Sequence, residues 1–335
     1  MLWVTFHGGK PTKDVKNPVN NIYAYKDSGG DPIETKVLSG AKQYLRDAEL
    51  RGFVFAYGHL YVANGRKDSN TVLRFKGSGT QYQLKDVFVT REGSSGINSI
   101  FHPYSLIFDG SEYCYVSSQD TDVVTRLTTD SKAKSGSAAP IPSGLPSGGT
   151  FFAGTFVACS LAQLPGLSAT TPVPAPQGLA VGFAQSQDAD AGTSKVQHSV
   201  RDLALANGKL YVCDEAASLV KVYDMNGKWL QSSNTVPGPA HLLAWKGQLF
   251  VSGSKAVMSA PLGSSSLQFS AVSSVDGTGA SGMAFNAKGD KFFVADRKKN
   301  EVHSYDVSPG RTFSNKKKII SNMPDNPEFL VYVPD

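Results

Sequence analysis

The sequence predicts an all-β fold, a six-bladed β-propeller closed by pairing of the C-terminal strand with the N-terminal blade. Three observations predict it. A pattern of apolar, aromatic, Val, small and polar residues recurs as LWVTF, LYVAN, CYVSS, LYVCD, LFVSG and FFVAD, beginning at Leu2, Leu60, Cys114, Leu210, Leu249 and Phe292. Five of these six copies follow an apolar run that ends in a Gly-containing turn, the chemistry of a short hairpin. After each copy comes an alternating segment, so the repeating unit reads as consecutive antiparallel strands. Four such strands repeated around an axis make a propeller.

The elements can be justified in chain order. LWVTF has no inner strand before it and is followed by NIYAYKD. RGFVFAYG from Arg51, LYVAN and TVLRFKG make the second blade, with QLKDVFVT outside them. YSLIFDG from Tyr104, CYVSS and DVVTRL make the third, and the apolar run TFFAGTFVACSLAQL reads as its outer strand. RDLALANG from Arg201, LYVCD and LVKVYD form the fourth; AHLLAWKG from Ala240, LFVSG and AVMSAPL form the fifth. SGMAFNAKG from Ser281, FFVAD and EVHSYDV form the sixth, with KKKIIS outside. The C-terminal PEFLVYVPD supplies the inner strand that the first copy lacks, and pairing the two ends removes both sheet edges. One domain, 1–335, is therefore expected, with a Pro/Ser/Gly-rich insertion at about 130–197 that contains GSAAPIPSGLPSGG and SATTPVPAPQG. Loops of that length in compact domains are usually functional or disordered.

Composition narrows the functional classes. Only 18% of residues are charged, and the net charge of +5 comes from local runs such as Arg297–Lys299 and Lys316–Lys318, which read as solvated turns or a protected edge. No nucleic-acid partner is expected. No apolar stretch reaches membrane-spanning length, and the opening residues read as a strand rather than a signal peptide. The expectation is a soluble monomer without a membrane partner, cytoplasmic as given or secreted if an export signal has been removed. No Asn-x-Ser/Thr acceptor occurs, which removes one argument for glycosylation. Cys114, Cys159 and Cys213 lie in apolar runs and are odd in number, so buried free thiols are expected rather than a disulfide framework.

Segments such as SGMAFNAKGDKFFVADRKKNEVHSYDV and RDLALANGKLYVCDEAASLVKVYD resemble blades of NHL-type propellers and of the related YVTN-like and gluconolactonase-like propellers. The resemblance spans nearly the whole chain and implies architecture more than activity, since such propellers include both enzymes and interaction modules. Gluconolactonase-type relatives hold a divalent cation with acidic and Asn ligands on inner strands; here Arg201 and Ser281 stand where an acidic ligand would be expected. The propeller lyase that cleaves peptidyl hydroxyglycine, which this chain resembles in architecture, holds zinc with three histidines at the starts of inner strands, in Pro-His motifs before the apolar run. This sequence has HPYSL at His102, HSVRDL at His198 and PAHLL at His241, each displaced, so that ligand set does not carry over residue by residue.

In a propeller the inner strands start, and the second strands end, on one face, so two sets of residues converge at a central mouth. The first set is Arg51, His102, Tyr104, His198, Arg201, His241 and Glu328; the second is His7, Asn64, Asp120, Asp214, Glu215 and Asp296. Imidazole is both a metal ligand and the natural acid or base near neutral pH. His102, Tyr104, His198, Arg201 and His241 are the candidate catalytic residues, and Arg51, His7, Glu328 and Asn64 the candidate substrate-binding ones. His102, His198 and His241 are the candidate ligands of a divalent metal, zinc or calcium; no organic cofactor is expected. The arginines could clamp a carboxylate, and Tyr104 could donate or accept a proton.

For any single one of these side chains the competing reading is structural, because a His or Arg at a strand start can satisfy backbone carbonyls. Asp214 and Asp296 read as turn formers, His59 and His303 as structural, and Asp188 with Asp190 as a polar loop rather than a calcium site. Two functions follow. One is a lyase or hydrolase acting on a small anionic or carbonyl-bearing substrate at the mouth; the other is a non-catalytic propeller that recognises a protein or glycan. Exposed aromatic residues on the rim would favour the second.

Overall fold

The computed structural model describes residues 1–13, 15–66, 69–90, 92–93, 96–97, 100, 102–119, 123–130, 134–142, 155–158, 186–187, 194–195 and 200–334. The chain is a six-bladed β-propeller, and its inner strands are Pro327–Tyr332 for blade 1, then Leu50–Ala56, Pro103–Phe108, Val200–Ala206, His241–Trp245 and Ala280–Phe285. Blades 3 to 6 are each four antiparallel strands in sequential order. The outer strand of blade 3 is Thr155–Ala158, inside the apolar run that predicts it.

The recurrent motif has a physical reason visible in the packing. In each second strand the first and third motif residues face the preceding blade and the aromatic faces the following one. Leu210 and Val212 belong to the apolar cluster between blades 3 and 4, whereas Tyr211 and Cys213 belong to the cluster between blades 4 and 5. Leu60 and Val62 face blade 1, and Tyr61 and Ala63 face blade 3. A strand buried on both faces cannot alternate apolar with polar. Each fully buried large side chain stabilises the fold by about 1.5–3 kcal/mol.

The ring closes as the sequence predicts. Leu2, Trp3 and Val4 pair antiparallel with Tyr332, Val331 and Leu330. The first blade nonetheless departs from four strands: it has three, Pro327–Tyr332, Leu2–Phe6 and Tyr23–Tyr25. Beyond them the chain makes only the isolated bridge Ala24↔Glu34, after the turn containing Asp31 and Pro32. Leu38–Ser39 then pairs in parallel with Gln81–Thr90, the outer strand of blade 2, making that blade five-stranded.

A second feature is not legible in the sequence. In blades 1, 2, 3, 4 and 6 the register between inner and second strand shifts at the start of the inner strand, between Pro327 and Leu330, Leu50 and Phe53, Pro103 and Leu106, Val200 and Leu203, and Ala280 and Met283. Such bulges re-aim side chains, and here they bracket Arg51, Tyr104 and Arg201. Blade 5 pairs without a shift from His241 onward.

Among the described residues Cys114 and Cys213 are buried free thiols whose pKa burial pushes up. Cys159, Asp120, Asp188, Asp190 and His198 lie outside the described residues. No helix among the described residues is long and apolar enough to cross a membrane.

Candidate functional site

Ladder register stacks the inner strands into layers around the axis. Midway along the strands the layer is apolar: Phe53, Leu106, Leu203, Leu242, Met283 and Leu330, each opposite the Val of its own blade's motif. One residue nearer the mouth stand Gly52, Ser105, Asp202, His241, Gly282 and Phe329. The two glycines let neighbouring chain pass close by. A Cβ on Gly282 would lie 2.1 Å from the Leu330 nitrogen, and one on Gly52 3.2 Å from the Phe329 ring. Phe329 packs edge-on against His241, with centroids 4.3 Å apart, and against Tyr104 at 5.3 Å.

Polar groups lock this layer. Tyr104 Oη and His241 Nε2 are 3.1 Å apart in a fully buried hydrogen bond. The other ring nitrogen, Nδ1, has no hydrogen-bond partner among the described residues and lies 3.7 Å from Asp202 Oδ2. Asp202 is itself held by the Ser105 hydroxyl, by its contact with Leu203 N at 2.8 Å and by Leu242 N at 2.9 Å. Burial, with the charge of Glu328 added, pushes the Tyr104 phenol up, and the nearby Arg201, Arg51 and Arg297 oppose this only in part. Tyr104 therefore stays neutral at physiological pH and serves as a donor.

Above the pair lies a layer of arginines and carboxylates. The Arg201 guanidinium sits 5.1 Å from the centroid of the Tyr104 ring, binds Glu215 through Nε at 2.7 Å, and contacts Gln119 Oε1. Arg51 donates to the His7 carbonyl at 2.8 Å and to Glu49 Oε2 at 3.1 Å. Glu328 is buried and accepts contacts from His7 Nδ1 at 2.9 Å and Arg297 at 3.0 Å, with Arg51 at 4.0 Å. Burial alone would raise its carboxyl; the His7 hydrogen bond and the charges of Arg51 and Arg297 outweigh that and hold it well below the usual carboxylate range.

The sequence-predicted residues fall into three groups. Arg51, Tyr104, Arg201, His241, Glu328 and His7 come together at the mouth. His102 joins their edge, its Nε2 3.5 Å from both Arg51 and Glu49 and its backbone at φ +50° held by Asn70. Asn64 is buried and serves the backbone instead: its amide receives the N–H groups of Glu49 and Arg66 and donates to the Tyr44 carbonyl.

The ends of the second strands thus hold two kinds of residue. Residues four beyond each motif's start, including Asn64, Ser118, Asp214 and Asp296, are buried. Asp214 and Asp296 accept turn N–H groups of Ala217, Lys298 and Lys299, as expected of turn formers. The residues one further on, His7, Gln119, Glu215 and Arg297, face the mouth. A one-residue step along a strand changes its face, and counting from the motif start would find Gln119 and Arg297. Glu49, Asp202 and Phe329 carry no comparable signal.

Two clefts, of about 550 and 510 Å³, open away from the mouth, one between the hairpins of blades 3 and 4 and one beside blades 6 and 1. The mouth is marked by converging charge. It can bind anions through arginines whose rim partners, Glu49 and Glu215, remain partly exposed, and it can donate a proton from Tyr104. Among the described residues no group of three or more His, Cys, Asp or Glu side chains is placed to hold a metal.

No family model and no curated protein matches the sequence. Solved structures share its fold. A chain of a nidogen/laminin complex matches at 10% identity over 99% of this chain and 98% of its own, with a TM-score of 0.53. A protein from Lactobacillus plantarum matches at 12% identity over 95% and 82%, with a TM-score of 0.52. A putative 6-phosphogluconolactonase from Bacteroides fragilis NCTC 9343 matches at 12% identity over 95% and 80%, with a TM-score of 0.50. At these identities the chain is similar to them in fold alone: a six-bladed β-propeller.

Proposed function

We propose that the chain is an enzyme of the lyase or hydrolase type, acting as a monomer on a small anionic or carbonyl-bearing substrate at the mouth. Its blade motifs resemble those of the NHL-type, YVTN-like and gluconolactonase-like propellers. The observation that carries the reading is the position of Arg201, directly over the ring of a neutral Tyr104 that is hydrogen-bonded to His241.

The chemistry runs from the rim inward. A substrate carboxylate replaces Glu215 on Arg201 or Glu49 on Arg51; ion pairs at such partly exposed positions are worth about 0–1 kcal/mol and exchange readily. The Tyr104 hydroxyl then donates its proton to a carbonyl or leaving-group oxygen. The proton is returned to the tyrosinate along the Tyr104–His241 hydrogen bond, with Asp202 Oδ2 3.7 Å from the far ring nitrogen.

These steps use side chains alone. His102 has a guanidinium for a neighbour and His241 is engaged by Tyr104. The zinc or calcium reading would need His198 as well, and elemental analysis tests it: near-stoichiometric metal, lost in His102→Ala, would support it.

The alternative, a binding propeller, has less support at this face. The exposed aromatics Phe55 and Tyr57 lie at the opposite end of blade 2's inner strand. The deciding experiment is a turnover screen of small carboxylates, lactones and hydroxy acids. Tyr104→Phe should lower kcat by about 10²–10⁴-fold with KM little changed, the range for loss of a general acid, while Arg201→Ala should raise KM. Binding that saturates without turnover, unaffected by Tyr104→Phe, would favour the recognition module.

A further inference from the structure

The run Lys316–Lys318 lies on the outer strand of blade 6, Phe313–Ile320, and its side chains divide between the two faces of the sheet. Lys316 binds Asp276 at 2.9 Å and Lys318 binds Glu301 at 3.0 Å, both on the side toward blade 5. Lys317 pairs across the ladder with Ser304, which pairs in turn with Phe293. Phe293 belongs to the apolar cluster between blades 6 and 1, so the cross-strand row Phe293, Ser304 and Lys317 faces blade 1. There all three line a cleft of about 510 Å³ at the hairpin end of the two blades.

The cleft lies where blade 1 stops at three strands. Its outer wall is the turn after Tyr23–Tyr25, with Asp27 and Ser28 in the lining, where a fourth strand would otherwise run. Backbone contacts pin that turn to blade 6. Gly30 N donates to the Ile319 carbonyl at 2.9 Å, and a Cβ on Gly29 would lie 2.1 Å from the same oxygen. Tyr332, on the inner strand of blade 1, lies parallel to Phe293 with centroids 6.3 Å apart and forms an apolar floor with Ile319.

Two donors in this lining are uncommitted. Ser304 is 6% exposed, yet its hydroxyl makes no hydrogen bond among the described residues. The Lys317 ammonium likewise makes no hydrogen bond or ion pair among them. Asp306, on the same face, is taken by Lys291 at Oδ1 and by Asn315 at Oδ2. An ammonium and a hydroxyl side by side on adjacent strands match the two oxygens of one carboxylate. Asp27 and Asp290, which also line the cleft beside Lys288, disfavour the double charge of a phosphate.

We propose that this cleft is a second ligand site, separate from the mouth, for a small monocarboxylate with an apolar body. The carboxylate sits on Lys317 and Ser304, and the body lies against Tyr332 and Ile319. The site does not depend on any activity at the mouth.

Ligand-observed NMR titration of the full chain with 3-phenylpropionate tests the assignment, with the uncharged 3-phenylpropan-1-ol in parallel. The carboxylate should bind saturably, and the alcohol at least about tenfold more weakly, as expected for loss of a charge-assisted hydrogen bond. Lys317→Met should weaken carboxylate binding about tenfold, and Ser304→Ala about two- to tenfold. Lys316→Met and Lys318→Met, which remove the same charge from the other face, should leave it unchanged, as should Arg201→Ala at the mouth. Thermal melting of each variant separates loss of the site from loss of the fold. Absence of saturable binding to the native chain, unchanged binding by folded Lys317→Met, an equal loss in Lys316→Met, or loss of binding in Arg201→Ala would each overturn the assignment.

Discussion

At the mouth, the inner strands of blades 2 and 4 begin in bulges that present Arg51 and Arg201, each paired with a rim carboxylate. At their other ends the same strands run out as Phe55, Ala56 and Tyr57 or as Leu205, Ala206 and Asn207, and turn tightly through Gly58 and Gly208. Between the two ends lies one apolar ring that hardly varies from blade to blade. The middle of each strand answers to its neighbouring blades, which are alike, whereas the ends answer to whatever each blade meets beyond the ring. Function can therefore be placed at either end without touching the part that makes the fold. The two ends differ in what holds them together: ion pairs gathered around the buried Glu328 at the mouth, aromatic packing at the hairpins.

That contrast sets the order of expected effects. Glu328→Ala should be the most damaging, because it strips the buried carboxylate from Arg51, His7 and Arg297; breaking a buried pair costs about 3–5 kcal/mol. Urea unfolding at neutral pH measures it. The milder Glu328→Gln fixes the pH dependence. Since the folded carboxyl is held below its ordinary value, its contribution is fully present above the unfolded pKa of about 4.3 and is lost as pH falls toward the lower folded value. The stability gap between native protein and Glu328→Gln should accordingly shrink as the pH falls below about 5. A gap that widened on acidification would mean that Glu328 is not the charged centre of the mouth.

Next comes the hairpin end. Trp245→Ala removes the stack on Phe285, and because Trp245 is only half buried the loss should fall below the range for a fully buried ring, at about 2–3 kcal/mol. It should not depend on pH or salt. If it matched Glu328→Ala and showed the same acid dependence, the distinction between the two ends would fail.

Much of this organisation is legible in the sequence, and the rest is not for definite reasons. The motif exposes the fold because burial on both faces forces an aromatic–Val strand in every blade. The mouth residues at inner-strand starts, Arg51, Tyr104, Arg201, His241 and Glu328, can be found because a charged or hydroxyl-bearing side chain interrupts an apolar run. The bulges cannot, since an extra residue in a ladder leaves no compositional mark. The missing fourth strand of blade 1 is equally hidden: Leu38 is apolar enough for a strand, but nothing local says that it pairs with Tyr82 of the next blade. Arg297 is masked by Asp296, the more familiar acidic position, although counting along the strand turns Arg297 toward the mouth.

Arg297 also gives the smallest and sharpest test of the comparison. It holds Glu328 at 3.0 Å but is itself 43% exposed, whereas Glu328 is 2% exposed. Water can replace the guanidinium from outside, and His7 and Arg51 still face the carboxylate, so Arg297→Ala should cost only about 0.2–1 kcal/mol, less at high salt. The same substitution removes an accessible cation from the rim and should weaken anion binding at the mouth, measured by titration with a small carboxylate such as malate. A small stability cost with a clear loss of anion affinity would mean that the exposed side of the cluster serves recognition while its buried side serves the fold. A cost equal to that of Glu328→Ala, with affinity unchanged, would make the whole cluster a clamp on the closing blade and move the search for function to the hairpin face.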